Sequence, residues 1–133
     1  MTTNPSRTRA RLAAAACALA LIAAAQAQTP GIKRTILQRT DIGDREVVLG
    51  MAEIAPGGST GRHTHPGIET GYVLEGSTVL VIDGEKPRVV KAGESFSIPA
   101  GKVHDAKVEG NAPLKVLVTY VVEKGKPLAS PAP

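Results

Sequence analysis

Between residues 114 and 122 every second position is large and apolar: Leu114, Val116, Val118, Tyr120 and Val122. A period of two places alternate side chains on one face of an extended chain, so this segment predicts a half-buried β-strand. Phe96 and Ile98 alternate with Ser95 and Ser97 in the same way. Further strands are predicted over residues 34–40, 46–55, 70–75, 77–82, 88–90, 94–98 and 105–108, and no segment after the N-terminal stretch carries a helical period. Turn signals separate the runs at Pro56-Gly57-Gly58, Glu75-Gly76, Asp83-Gly84 and Pro99-Ala100-Gly101. Asp83-Gly84 is the strongest hairpin signal among them. Many short strands with frequent glycine predict an all-β fold, a sandwich or a double-sheet jelly roll.

A chain of 133 residues is sized for one domain. Its first stretch has a different pattern: Arg7, Arg9 and Arg11, then an apolar run from Leu12 to Ala25, then the small residues of Ala25-Gln26-Ala27. That is the layout of a secretory signal peptide, expected to span residues 1–27 with cleavage after Ala27 and export to the periplasm or beyond. The apolar run falls short of the roughly 20 residues that a membrane span needs. Residues 28–56 then hold the N-terminal strands, 57–125 the core of the barrel, and 126–133, rich in Pro and Ala, a loose tail.

Sixteen Lys and Arg face twelve Asp and Glu. Removing the three leader arginines leaves a mature charge of about +1 by formal counting. With no basic cluster interleaved with aromatics, the chain has no electrostatic footprint for nucleic acid. The single cysteine, Cys17, lies in the leader, so the mature chain has neither a disulfide nor a thiolate ligand. A lipidated Cys17 is the competing reading, but Ala14 to Ala16 lack the branched residue expected three positions before it.

All three histidines fall in two places, His63 with His65 and, much later, His104. Histidines two apart on an extended segment share a face, with Arg62 and Thr64 turned the other way. Glu69 follows past Pro66-Gly67, which can bend the chain to bring its carboxylate beside the imidazoles. Three imidazoles and one carboxylate suit one divalent ion, and an octahedral shell leaves two open positions for water, dioxygen or a bidentate substrate. A lone histidine is usually a surface or satisfied residue, but three with a carboxylate at this spacing point to ligation. Glu69 has a second candidate role, as general base toward a bound substrate. Tyr72, Phe96 and Tyr120 are assigned to barrel packing, and Arg62 to a solvated charge.

At these residues the sequence resembles the cupin family. The first family motif is carried by Gly57, His63, His65, Glu69 and Gly76, and the second by Gly93, Pro99, Gly101 and His104, with Val108 where the family has Asn. The resemblance implies a single-domain jelly-roll barrel enclosing the metal. It further implies a homodimer formed through an edge strand before Gly57, which also suits the physical need to cover unpaired edges.

The family hosts enzymes and binding proteins alike, so the fold leaves function open. One expectation is a metal-dependent dioxygenase or related enzyme, similar to the small quercetin-dioxygenase-like cupins, acting on a small enol or diketone. The other is a non-catalytic metal or small-molecule binding module of the cell envelope. The cofactor is one divalent ion, Zn, Mn, Ni, Cu or Fe. Loading outside the inner membrane favours the first four over easily oxidised ferrous iron.

Overall fold

The computed structural model describes residues 31–133. The expected leader, its cleavage after Ala27 and Cys17 lie outside the described residues. The described chain is all strand and turn: β1 Ile32–Ile42, β2 Arg45–Ile54, β3 His63–Thr64, β4 Gly67–Glu75, β5 Ser77–Ile82, β6 Arg88–Lys91, β7 Ser95–Ile98, β8 His104–Lys107, β9 Leu114–Glu123 and β10 Ser130–Pro131.

These form two five-stranded antiparallel sheets, in the orders β1-β2-β9-β4-β7 and β10-β3-β8-β5-β6. No ladder among the described residues joins one sheet to the other, so the expected barrel is a two-layer jelly roll with open corners. The alternation of β9 is realised as predicted: Leu114, Val116, Val118, Tyr120 and Val122 are all buried between the sheets. From the opposite sheet Leu80, Ile82 and Val90 meet them. Val108, where the family motif has Asn, is a core residue 3% exposed, and its N–H donates to the Gly58 carbonyl at 2.9 Å. The departure therefore replaces a polar group by apolar packing and leaves the chain path intact.

Asp83-Gly84 does reverse the chain, as expected, joining β5 to β6 in an antiparallel pair. At Gly76 the chain passes from β4 in one sheet to β5 in the other. Its φ of 78° lies in the left-handed region, and an added Cβ would stand 2.2 Å from the Pro113 carbonyl oxygen. Glycine alone meets both demands.

Three expectations are corrected. Residues 126–133 do not form a loose tail: β10 pairs with β3, Ser130 opposite Thr64 and Pro131 opposite His63. The Pro and Ala composition hid this strand, because a two-residue edge pairing needs no apolar period. Tyr72 does not pack inside; it is 47% exposed. Strand parity decides this, since Glu69 faces inward on β4 and Tyr72, an odd number of residues away, must face outward. Arg62 is exposed yet not merely solvated: its guanidinium takes a forked pair of 2.9 Å bonds to Asp83 and its Nε donates to the Pro133 carbonyl.

Gly76→Ala is expected to destabilise the fold by about 2 kcal/mol or more, through left-handed strain and the Pro113 contact together. Urea unfolding of the two proteins measures it, and equal midpoints would refute the role given to Gly76.

Candidate metal centre

The four residues singled out by spacing come from both sheets. His63 lies on β3 directly opposite His104 at the start of β8, and His65 follows β3 by one residue. Glu69 projects from β4, in register with Tyr120 of β9 on one side and Ile98 of β7 on the other. The carboxylate of one layer thus meets the imidazoles of the other. One donor atom from each residue can be chosen so that all lie within 4.8 Å of one another. Two donors across a single ion stand about 4.2 Å apart, so small side-chain rotations suffice to share one.

Each imidazole is oriented by a backbone carbonyl. Nδ1 of His63 donates to Gly61 at 2.8 Å, Nδ1 of His104 to Lys102 at 2.9 Å, and Nδ1 of His65 to Leu128. A carbonyl only accepts, so all three Nδ1 atoms carry the proton and, in the neutral rings, all three Nε2 atoms present lone pairs. Two of the rings reach Glu69: Oε2 lies 2.9 Å from Nε2 of His65 and is hydrogen-bonded to Nε2 of His104 at 3.2 Å. The His65 contact is close but unaligned, and that buried Nε2 has no hydrogen-bond partner among the described residues. A buried acceptor without a donor is costly. A lone pair and a carboxylate this close ask for a positive charge between them, so the donor set fits a divalent cation.

The titration behaviour follows from the same crowding. Burial would raise the Glu69 carboxyl, but His104 and His65 outweigh it and hold its pKa at about 2. Burial, helped by the other two imidazoles, lowers His63 to about 4, against the Gly61 hydrogen bond and the Glu69 charge. For His104, burial works downward and is overcome by Glu69 and the Lys102 carbonyl, which leave it above its ordinary value. Glu69 is therefore ionised at neutral pH and His63 neutral.

Around the cluster lies an inner cavity of about 40 Å³ with apolar walls that include Leu80, Phe96, Ile98 and Tyr120. It is flanked by an outer vestibule of about 290 Å³ whose rim includes His63, His65, Arg62 and the segment Leu128 to Pro131. Tyr120 serves packing and site together: it is 7% exposed, and its ring centre lies 4.7 Å from that of His65. Beside His104, the buried Asp105 accepts from Ser59 at 2.7 Å and Thr60 at 3.0 Å, tying the loop before β3 to β8. Sequence reasoning missed Asp105, Arg34, which borders both spaces, and the Leu128 carbonyl. Backbone acceptors leave no trace in residue type, whereas a Ser-Thr pair ahead of His-x-His was a visible cue.

The fold and cluster define a class: a two-layer jelly roll carrying three histidines and one glutamate at a buried interior site. The chain belongs to the cupin family, whose domain model matches residues 50–120. It is 33% identical over 88 residues to the tetracenomycin polyketide synthase protein TcmJ of Streptomyces glaucescens, covering 65% of this chain and 58% of that one. It is 38% identical over 71 residues to the dimethylsulfoniopropionate lyase DddW of Ruegeria pomeroyi, covering 53% of this chain and 46% of that one. The chain thus spans about half the length of these curated relatives. Among solved structures it is similar to the polyketide cyclase RemF of Streptomyces resistomycificus, with a TM-score of 0.62 and 33% identity, covering 74% of this chain and 70% of that one.

Glu69→Gln removes the charge that keeps the His104 pKa raised. In the metal-free protein burial then dominates, and the His104 pKa is expected to fall below its ordinary value of 6.5. Titration of the imidazole signals by NMR reads this directly; an unchanged His104 pKa would mean that Glu69 is not its partner.

Proposed function

We propose that the chain is an exported metal-dependent enzyme of the oxygenase class, acting on a small enol or diketone. The observation that carries the reading is the gathering of a donor atom from each of three imidazoles and a carboxylate within 4.8 Å of one another beside a small, apolar-walled cavity. His63, His65, Glu69 and His104 would hold one divalent ion, which when bound supplies Lewis acidity and open positions for enolate oxygens. Glu69 acts as ligand and counter-charge. With a pKa of about 2 it is a weak base at neutral pH, which argues against the second role considered for it. Leu80, Phe96 and Ile98 exclude water from the reacting groups. Tyr120, whose pKa burial and the Glu69 charge push upward, keeps its proton and can donate a hydrogen bond to a substrate oxygen. The similarity to a polyketide cyclase supports the substrate class, because polyketide chains carry carbonyls in 1,3 relation.

Export rests on the leader pattern of residues 1–27, and loading outside the inner membrane favours zinc, manganese, nickel or copper over iron. Elemental analysis of the natively exported protein tests both, and iron in the site would overturn the second. A homodimer through β1 is part of the proposal. This eleven-residue strand forms a sheet edge, and Ile36, Leu37 and Ile42 on it are 43%, 52% and 57% exposed. Charged replacements at Leu37 and Ile42 are expected to yield monomers in sedimentation analysis, and an unchanged sedimentation coefficient would place the interface elsewhere.

His63→Ala is expected to reduce metal occupancy by an order of magnitude or more at limiting metal. Lowering the pH should also release the ion from the wild type. Glu69 and the Lys102 carbonyl favour the protonated form of His104, whereas Glu69 itself stays ionised down to about 2, so protonation of His104, not of the carboxylate, is expected to drive the loss. Full occupancy in His63→Ala would refute the ligand assignment. Oxygen-electrode traces with flavonols, β-diketones and small enols test turnover, with His104→Ala as the inactive control. A fully loaded protein that consumes no oxygen with any of them would be a binding module of the envelope instead.

A further inference from the structure

Arg34 is the one cationic side chain of the described residues that is partly buried and pairs with no carboxylate among them. Lys33, Arg39, Arg62, Lys115, Lys124 and Lys126 each have a described acidic partner. The remaining Lys and Arg without such a partner are exposed. Arg34 stands two residues after the buried Ile32 on β1, opposite Ala52 of β2, which is in turn opposite Val116 of β9. It therefore belongs to the inward-facing row of its sheet. The methyl group of Ala52 leaves room beside it, and Arg34 borders both the inner cavity and the outer vestibule.

A guanidinium in a half-desolvated, largely apolar setting calls for an anion, and its planar fork fits a carboxylate. The anion already in the cavity, Glu69, is engaged by His65 and His104. We propose that Arg34 anchors the carboxylate of a small substrate whose enol or keto oxygens turn toward the histidine cluster. This rests on the proposed metal-enolate reading and narrows it: the substrate is a short keto or enol acid, with its anionic end at Arg34 beside Tyr120 and its 1,3-dioxygen unit inward. Arg34 and His63 border both the inner cavity and the vestibule, so one small ligand can reach the guanidinium and the cluster together.

The probes are acetylacetone and 2,4-dioxopentanoate, which share the diketone and differ by one carboxylate. Calorimetric titration of the metal-loaded protein is expected to show 2,4-dioxopentanoate binding tighter by about tenfold to a hundredfold. Arg34→Gln should abolish that preference and leave acetylacetone affinity unchanged, and Arg34→Lys should restore part of it. Metal content and melting temperature confirm that both variants are loaded and folded. A wild-type preference that persists in Arg34→Gln, or no preference at all while acetylacetone binds, overturns the anchor and leaves the enolate reading standing. Arg34-dependent binding of 2,4-dioxopentanoate with no binding of acetylacetone keeps the anchor and removes the chelating enol. Binding of neither probe to the wild type overturns both.

Discussion

Four acceptor atoms crowd into the space between two sheets, and everything near them is arranged to keep them there. Carbonyls of Gly61, Lys102 and Leu128 pin the three Nδ1 protons, which turns the Nε2 lone pairs inward toward a carboxylate that stays ionised. Such a set is electrostatically uncomfortable in a buried place without a positive charge. Its persistence depends chiefly on backbone geometry, with a 3.2 Å hydrogen bond between His104 and Glu69 as the side-chain link within it. The two-residue strand β3 matters out of proportion to its length for this reason. It carries His63 opposite His104, leads into His65, and is held on its other edge by β10.

The histidine cluster was legible in the sequence because its information is carried by residue type and spacing. His63 and His65 sit two apart, Glu69 follows past a bend, and the parity of an extended chain does the rest. Strands were legible for the same reason, since β9 and β7 alternate in plain view. What stayed hidden depends on contacts with no compositional signature. The C-terminal Pro-Ala segment contributes a carbonyl and two edge-strand residues, none of which requires an apolar period. Tyr72 shows a different failure. The parity that placed Glu69 inward already placed Tyr72 outward, and general aromatic preference for cores obscured it.

Arg34 was invisible for a third reason. One arginine in a polar-looking strand is ordinary, and only the register Arg34, Ala52, Val116 across three strands reveals that this one faces the interior row. Position thus converts an unremarkable residue into a charge that sets the polarity of the vestibule. In the proposed site a cation would lie between the histidines and Glu69, with the guanidinium of Arg34 toward β1. A ligand with two separated negative oxygens satisfies both ends, whereas a neutral ligand leaves the guanidinium unmet. Selection by charge spacing can operate without a lid or a large aromatic clamp, and the chain has few aromatic residues from which to build one.

The open corners of the jelly roll give the metal a mechanical consequence as well. No ladder among the described residues links the sheets, so apolar packing and loop connections hold them face to face. Glu69 belongs to the first sheet and His63 and His104 to the second, so an ion gripped by all of them would be a cross-link between layers. Because the unfolded chain cannot preorganise these donors, the binding energy adds to folding stability by mass action. Replacing His104 and replacing Glu69 should then differ in kind. Without His104, two imidazoles and the carboxylate still span the layers. Without Glu69, every remaining donor lies on one side, and an ion that still bound would no longer tie the sheets together.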